Sequence, residues 1–352
     1  MKEIINYLEK LCEDYNQMCR RKDGSIYGIE DGLNCRQGST VYGSDLEDRR
    51  PKIDKLVLKA QGKAIRQLLE RKIKDKSAST PALTYKDYFE IGKRKYNREL
   101  SEAKNLIRQV RKDRKYLDSL AKSSKESIDN AELEATTRRY QDNKEKVEKI
   151  FSRIRSNLLS QGNREEAKFE ASRVINNSPS DYLPRSKDFY REALGDLYQI
   201  SKNRVTSLGQ LIFVRDRAFA RKPKQGEPGK INVGNRETEK AALASFWHEF
   251  GHHIEISNPG LKQVFKDWIL SRSSGKTVPL RQLTGNQKYG EDEVAYDGKF
   301  GLGAYVGRIY PDGGTEVMSK GLEMFSSEKA MASFFSKDPE HFLMILGILD
   351  SL

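Results

Sequence analysis

The chain has 352 residues, a formal net charge of +13, 33% charged residues and 36% hydrophobic ones, a balance too polar for one compact globule and room enough for two or three domains. No apolar run reaches the length of a membrane span, and the start Met1-Lys2-Glu3-Ile4-Ile5-Asn6-Tyr7-Leu8-Glu9 reads as an acidic amphipathic helix rather than a signal peptide, so a cytoplasmic location is expected. Cys12, Cys19 and Cys35 are odd in number and lack paired metal spacing, which argues against a disulfide framework and a cysteine zinc finger.

Three sections follow in chain order. Residues 1–50 open with a helix carrying Ile4, Ile5, Leu8, Leu11, Tyr15 and Met18 on one face, then a loop rich in glycine and tyrosine. Cys35, beside Arg36, reads there either as a reactive thiol next to a cation or as a small packed residue. Residues 51–177 read as long charged helices. Ile53, Leu56, Val57, Ala60, Ala64, Leu68 and Leu69 form one apolar stripe, and Leu106, Val110, Leu117 and Leu120 step at helical spacing, as do Val147, Ile150, Phe151, Ile154 and Leu158. Lys93-Arg94-Lys95 and Arg111-Lys112-Asp113-Arg114-Lys115 make the opposite faces basic, so an antiparallel hairpin or small bundle is expected, turning around Ser123 to Asn130. Its basic face is either simply solvated or an electrostatic footprint for nucleic acid or another polyanion, with no base-reading motif beside it.

Residues 178–352 carry the chemistry. A turn-rich stretch from Ser178 to Pro184 precedes a helix from Arg185 to Ile200, and Gln210 to Val214 and Lys230 to Val233 read as short strands. Next comes an apolar helix, capped by Asn235 or Thr238 and stopped by Asn258-Pro259-Gly260, that contains His248-Glu249-Phe250-Gly251-His252. Two imidazoles one helical turn apart share a face and can hold one Zn²⁺, while Glu249 lies where it can reach a metal-activated water. Only four histidines occur in the whole chain, and three of them, His248, His252 and His253, fall within six positions. His253 points about 100° away from His252 and reads as a packing residue. A helix follows with Leu261, Val264, Phe265, Trp268 and Ile269, then a loop-rich stretch from Ser273 to Gly314 and a last apolar helix begun by Asp338-Pro339. His341 reads as a surface or packing residue of that helix.

A catalytic zinc normally takes three protein ligands. Six residues past His252 stands Asn258, and Glu255 occupies the place of a glycine, so the elongated motif with a third histidine is absent. Glu316 is the favoured third ligand, at the start of an apolar helix after Gly313-Gly314-Thr315; Glu291, Asp292 and Glu293 compete with it but read as a solvated turn. In these features the chain resembles the gluzincins, the thermolysin-like zinc peptidases, in which a glutamate on a second helix completes a His-His-Glu site, often as Glu-x-x-Ser. Glu316 and Ser319 match that setting, but Lys320 stands where an aspartate would orient a zinc histidine, leaving Glu323 or Asp297 for that task. Ile231-Asn232-Val233-Gly234, the run from His248 to Glu255, Tyr289 to Tyr296, Tyr305 to Tyr310 and Thr315-Glu316-Val317 further resemble metallopeptidases carried by bacteriophages and mobile elements, over roughly the C-terminal half.

The expected fold class is therefore α+β and predominantly helical, a charged helical N-terminal arm followed by a zincin-like domain with a small sheet and the HExxH helix. The expected function is a zinc-dependent endopeptidase acting on a protein substrate, with His248, His252 and Glu316 as ligands to Zn²⁺ and Glu249 as general base. Tyr305, Arg308 and Tyr310 are expected to supply a donor to the oxyanion, and Leu211 to Val214 to be the edge strand that pairs with an extended peptide. The alternatives are a DNA- or RNA-binding or virion-associated interaction protein with a structural zinc, and a protease switched on by nucleic acid. The oligomeric state is open.

Overall fold

A computed structural model describes residues 83–352, apart from 122–128, 180–184, 203, 206–207, 215–218, 222–228 and 235–237. The expected first helix, the glycine- and tyrosine-rich loop with Cys35 and the stripe from Ile53 to Leu69 lie outside the described residues. Leu83–Leu352 forms one compact unit.

Its first two helices are the expected antiparallel hairpin, α1 (Tyr85–Leu120) and α2 (Asn130–Leu159). Thr84 and Asp87 close a capping box at the start of α1, and Asp129 accepts from the Ala131 and Glu132 N–H groups to start α2. Tyr96, Leu100 and Ala103 are buried against the stripe from Val147 to Leu158. Towards the tip, Leu106, Val110, Leu117 and Leu120 are only half-buried, because two helices alone leave one side of the seam open. Register is set by polar groups. Asp113 is 2% exposed and takes a two-pronged contact from Arg139, at 2.7 Å from Nη2, while Tyr96 donates to Asn157 at 2.9 Å.

Helices α3 (Arg164–Asn176) and α4 (Lys187–Ile200) lead into a three-stranded sheet, β1 (Leu208–Val214), β2 (Phe219–Arg221) and β3 (Gly229–Gly234), in the order β1-β3-β2. β1 and β3 are parallel and β2 runs antiparallel to β3. β2 has no counterpart among the expected strands, since three residues set in a run of arginine and lysine show no alternation. β1 lies at an edge of the sheet, as expected of Leu211 to Val214, but its first half is already engaged: the Leu211 N–H donates to Ser178 Oγ at 2.8 Å and the Leu208 carbonyl accepts from Arg173 at 2.9 Å.

The HExxH helix is α5 (Glu239–Ser257), capped by the Thr238 side chain; Asn235 lies outside the described residues. α6 (Gly260–Leu270) follows directly, burying Leu261, Val264, Phe265, Trp268 and Ile269 as expected. The stretch expected to be loop contains a two-stranded ribbon, β4 (Thr277–Pro279) with β5 (Val294–Tyr296), a short helix α7 (Leu280–Thr284) and a 3₁₀ turn at Ala304–Gly307. Three helices close the chain: α8 (Val317–Glu323), α9 (Glu328–Lys337) and α10 (Pro339–Ser351).

Every residue of α10 from His341 to Leu349 is buried, as the all-round apolar sequence requires. Phe342 meets Phe151 of α2, Phe335 of α9 and Phe325, with ring centroids 5.2 to 5.7 Å apart. α10 crosses α1 backbone to backbone, since a Cβ on Gly347 would stand 1.8 Å from the Tyr88 carbonyl and one on Gly92 2.3 Å from that of Leu343. Hairpin and HExxH helix thus share one core, and the expected boundary at residue 177 does not separate two. The described part is predominantly helical with a small sheet. Among the described residues no helix is long and apolar enough to cross a membrane.

Candidate metal centre

α5 and α8 build the site by lying against each other at close range. A Cβ on Gly251 would fall 2.5 Å from Ser319 Cα, so only glycine inside the HExxH motif lets α8 approach this far. That approach brings Glu316, the residue preceding α8, beneath the two imidazoles that project from α5.

His248 Nε2 lies 3.2 Å and His252 Nε2 3.3 Å from Glu316 Oε2. Ligand atoms of all three residues fall within 4.8 Å of one another, a group that could hold a metal ion. Two tetrahedral bonds of about 2.0–2.2 Å, the lengths zinc makes to nitrogen and carboxylate oxygen, set their ligand atoms roughly 3.3 Å apart, which is the spacing found for both histidine contacts. Glu316 is fully buried. A carboxylate so enclosed needs positive charge beside it, either on the imidazoles or on a cation held between them.

The ligand groups are themselves held. Glu316 Oε1 accepts from the Tyr310 hydroxyl at 2.6 Å and Oε2 from Ser319 Oγ at 2.7 Å. His248 Nδ1 is 3.1 Å from Glu323 Oε2 and Nε2 3.2 Å from Glu316 Oε2, so the protonated ring donates to both carboxylates, and a ring that loses the Nε2 proton keeps Nδ1–H on Glu323 and offers Nε2 to a cation. Lys320 donates to the same Glu323 oxygen at 2.6 Å. Glu323 therefore fills the orienting role for which Asp297 was the other candidate, and Asp297 instead ties down Ser274. Burial pulls the His248 imidazole down, yet the bonds from Glu316 and Glu323 prevail and raise it to about 9, a measure of how strongly this pocket favours a cation.

Glu249 faces the same space. It is 5% exposed, the Ala220 N–H of β2 bonds its carboxylate, and among the described residues its Oε2 has no partner. Burial pushes its carboxyl above the ordinary value against the pull of His248 and His252. An unpaired buried carboxylate oxygen beside a potential metal group is what a general base requires, free to take a proton from a bound water. β2, at the edge of the sheet opposite β1, is the strand that touches Glu249.

The structure also brings together the three proposed donors. Tyr310 packs edge-on to His252, with centroids 5.9 Å apart; burial first and the Glu316 carboxylate second push its phenol far up, so it stays a donor. Arg308 stacks on the Tyr310 ring at 4.4 Å, bonds the Tyr305 hydroxyl at 3.0 Å and reaches within 3.9 Å of Glu316 Oε1. Glu293, which has no part in the expected ligand set beyond a competing acid, pairs with Arg308 at 2.5 Å and aims it. Glu291 and Asp292 are exposed, as a solvated turn should be. His253 stands off the site, 1% exposed and set against Gly229, where a Cβ would meet the ring at 2.5 Å. Comparison with known protein families, with curated proteins and with solved structures finds no match.

Proposed function

We propose that this chain is a zinc-dependent endopeptidase. The observation that carries the reading is the convergence of His248 and His252 Nε2 on one buried oxygen of Glu316, with Glu249 alongside, whose Oε2 has no partner among the described residues. When bound, Zn²⁺ supplies Lewis acidity, lowering the pKa of a water and polarising a carbonyl. His248, His252 and Glu316 hold it, and Glu323, Ser319 and Tyr310 keep those groups aimed. Glu249 takes the water's proton and returns it to the departing amine nitrogen, a transfer its raised carboxyl suits in both directions. Arg308, fixed by Glu293 and Tyr305, stands closest to the role of stabilising charge on the scissile carbonyl oxygen. β2 lies at the end of the sheet nearest Glu249, where an extended peptide can pair with its backbone; an edge strand antiparallel to its neighbour above an HExxH helix supports a zincin-like architecture.

The test is proteome-wide mapping of new protein N-termini with active protein against Glu249→Gln. Termini present only with the active protein establish the hydrolysis and name its targets; identical maps refute it. The exposed basic face of α1, including Arg108, Lys112 and Lys115, favours a second role in recruiting nucleic acid or another polyanion. Salt-dependent DNA or RNA binding that leaves proteolysis unchanged would assign that face to recruitment, and proteolysis that rises on adding nucleic acid to regulation.

A further inference from the structure

Two buried polar side chains, Glu255 and His341, take no part in the chemistry above, and both grip the backbone next to Glu316. Glu255 lies three residues beyond His252 on α5 and is 2% exposed. Its Oε1 accepts from the Thr315 N–H at 3.0 Å and from Thr315 Oγ1 at 3.2 Å. His341, on α10, is fully buried, and its Nε2 donates to the Val317 carbonyl at 3.0 Å. The residue before the metal-facing glutamate and the residue after it are each tied to a different helix.

Both contacts look built rather than incidental. Glu316 makes no side-chain cap bond at the start of α8, and the Val317 N–H is held instead by Thr315 Oγ1 at 3.3 Å, so the backbone there depends on bonds from outside the helix, among them those of Thr315, which Glu255 fixes. A side chain at position 321 would exclude α10, because a Cβ on Gly321 would stand 2.5 Å from Ile345 Cγ1 and 3.3 Å from His341 Nε2. The imidazole itself is clamped between Trp268, at 4.6 Å between ring centroids, and Phe334, at 4.9 Å, while the His341 backbone N–H donates to Asp338 at 3.1 Å in the first turn of α10. In a helix otherwise apolar from Phe342 to Leu349, a buried histidine has a free-energy penalty to offset, and the Val317 carbonyl is the partner its Nε2 finds.

We propose that Glu255 and His341 are positioning residues for the third metal ligand, fixing Thr315 and Val317 so that the Glu316 carboxylate arrives between the two imidazoles. This rests on the reading of the centre as a zinc site. Ligand-orienting partners of this kind are worth roughly 10- to 100-fold in metal affinity.

The experiment measures Zn²⁺ affinity, by competition with a chromophoric chelator, and thermal unfolding of the metal-free protein, in the full chain and in four variants. His341→Phe keeps the ring and removes the donor, and Glu255→Met keeps the length and removes the acceptor. His341→Gln and Glu255→Gln restore each function. The expected result is a roughly 10- to 100-fold loss of zinc affinity in the Phe and Met variants, with both Gln variants within a few fold of the parent. A changed visible absorption of bound Co²⁺ in the Phe and Met variants would mark the displaced carboxylate. Parent-like zinc affinity and Co²⁺ spectra in all four folded variants, with only the unfolding midpoint lowered, would make both residues packing groups and overturn the proposal. Absence of zinc binding by the parent protein would instead remove the metal reading on which the proposal stands.

Discussion

The candidate metal centre and the helical hairpin use charge in opposite ways. At the centre, Glu316 is fully buried and contacted by two imidazoles, a phenol and a hydroxyl, and Glu323 is shared by His248 and Lys320. On the hairpin most ion pairs sit in water, as in Lys149 with Glu145 or Arg114 with Asp118, where both side chains are more than half exposed. Asp113, buried against Arg139, is an exception. Buried polar groups admit few arrangements because each missing partner is costly, whereas exposed pairs exchange freely with water and ions. Geometry is therefore dictated at the centre, and on the hairpin face only the sign of the field is.

The contrast breaks most sharply at Glu249. Replacing it with Gln keeps the shape of the site and removes the base, so hydrolysis of a fluorogenic peptide library should fall by roughly 10²- to 10⁴-fold while zinc content is unchanged. Loss of zinc together with activity would instead make Glu249 a ligand. His252→Ala comes next. It leaves the buried Glu316 short of a partner, and the expected outcome is loss of zinc together with destabilisation of roughly 3–5 kcal/mol in denaturant unfolding of the zinc-loaded protein relative to the parent. A stable, zinc-binding variant would show that the histidines are not the ligands.

Gly251→Ala sharpens the comparison from the packing side. The added methyl meets Ser319 Cα at 2.5 Å, so α8 must move, at roughly 1–3 kcal/mol in stability and with weakened zinc binding. An unchanged unfolding midpoint would mean that the helices separate without penalty. The smallest effect belongs to the hairpin, where the triple change Arg108→Glu, Lys112→Glu and Lys115→Glu on exposed positions should leave stability within about 0.5 kcal/mol per site. If the basic face engages nucleic acid, the same change should lower both affinity and the steepness of its salt dependence in fluorescence anisotropy.

What was legible in the sequence follows the same division. Local patterns reported themselves: the spacing of His248 and His252, the Thr238 cap, the Asn258-Pro259-Gly260 stop, the hairpin stripes, and Glu316 as an acid at the head of an apolar helix. Glu323 was within reach because Lys320 displaced the usual acid and a carboxylate one turn on was the next choice. Partnerships between distant elements were not legible. Nothing near Glu293 signals Arg308, the first half of β1 looks open until Ser178 and Arg173 are seen to engage it, and β2 is too short and too basic to show a period. Two signals went unread. Glu255 is an acid on the buried side of an apolar helix, and His341 is a polar residue beginning a run of nine buried ones; each announces a partner without saying where it lies.

The central claim is that α5 and α8 together grasp a divalent cation. Elemental analysis of the full-length protein purified with zinc present, beside His252→Ala handled identically, tests it most directly. The account predicts about one zinc per chain in the parent and none retained by the variant. A parent free of metal, or a variant that keeps as much as the parent, would contradict it.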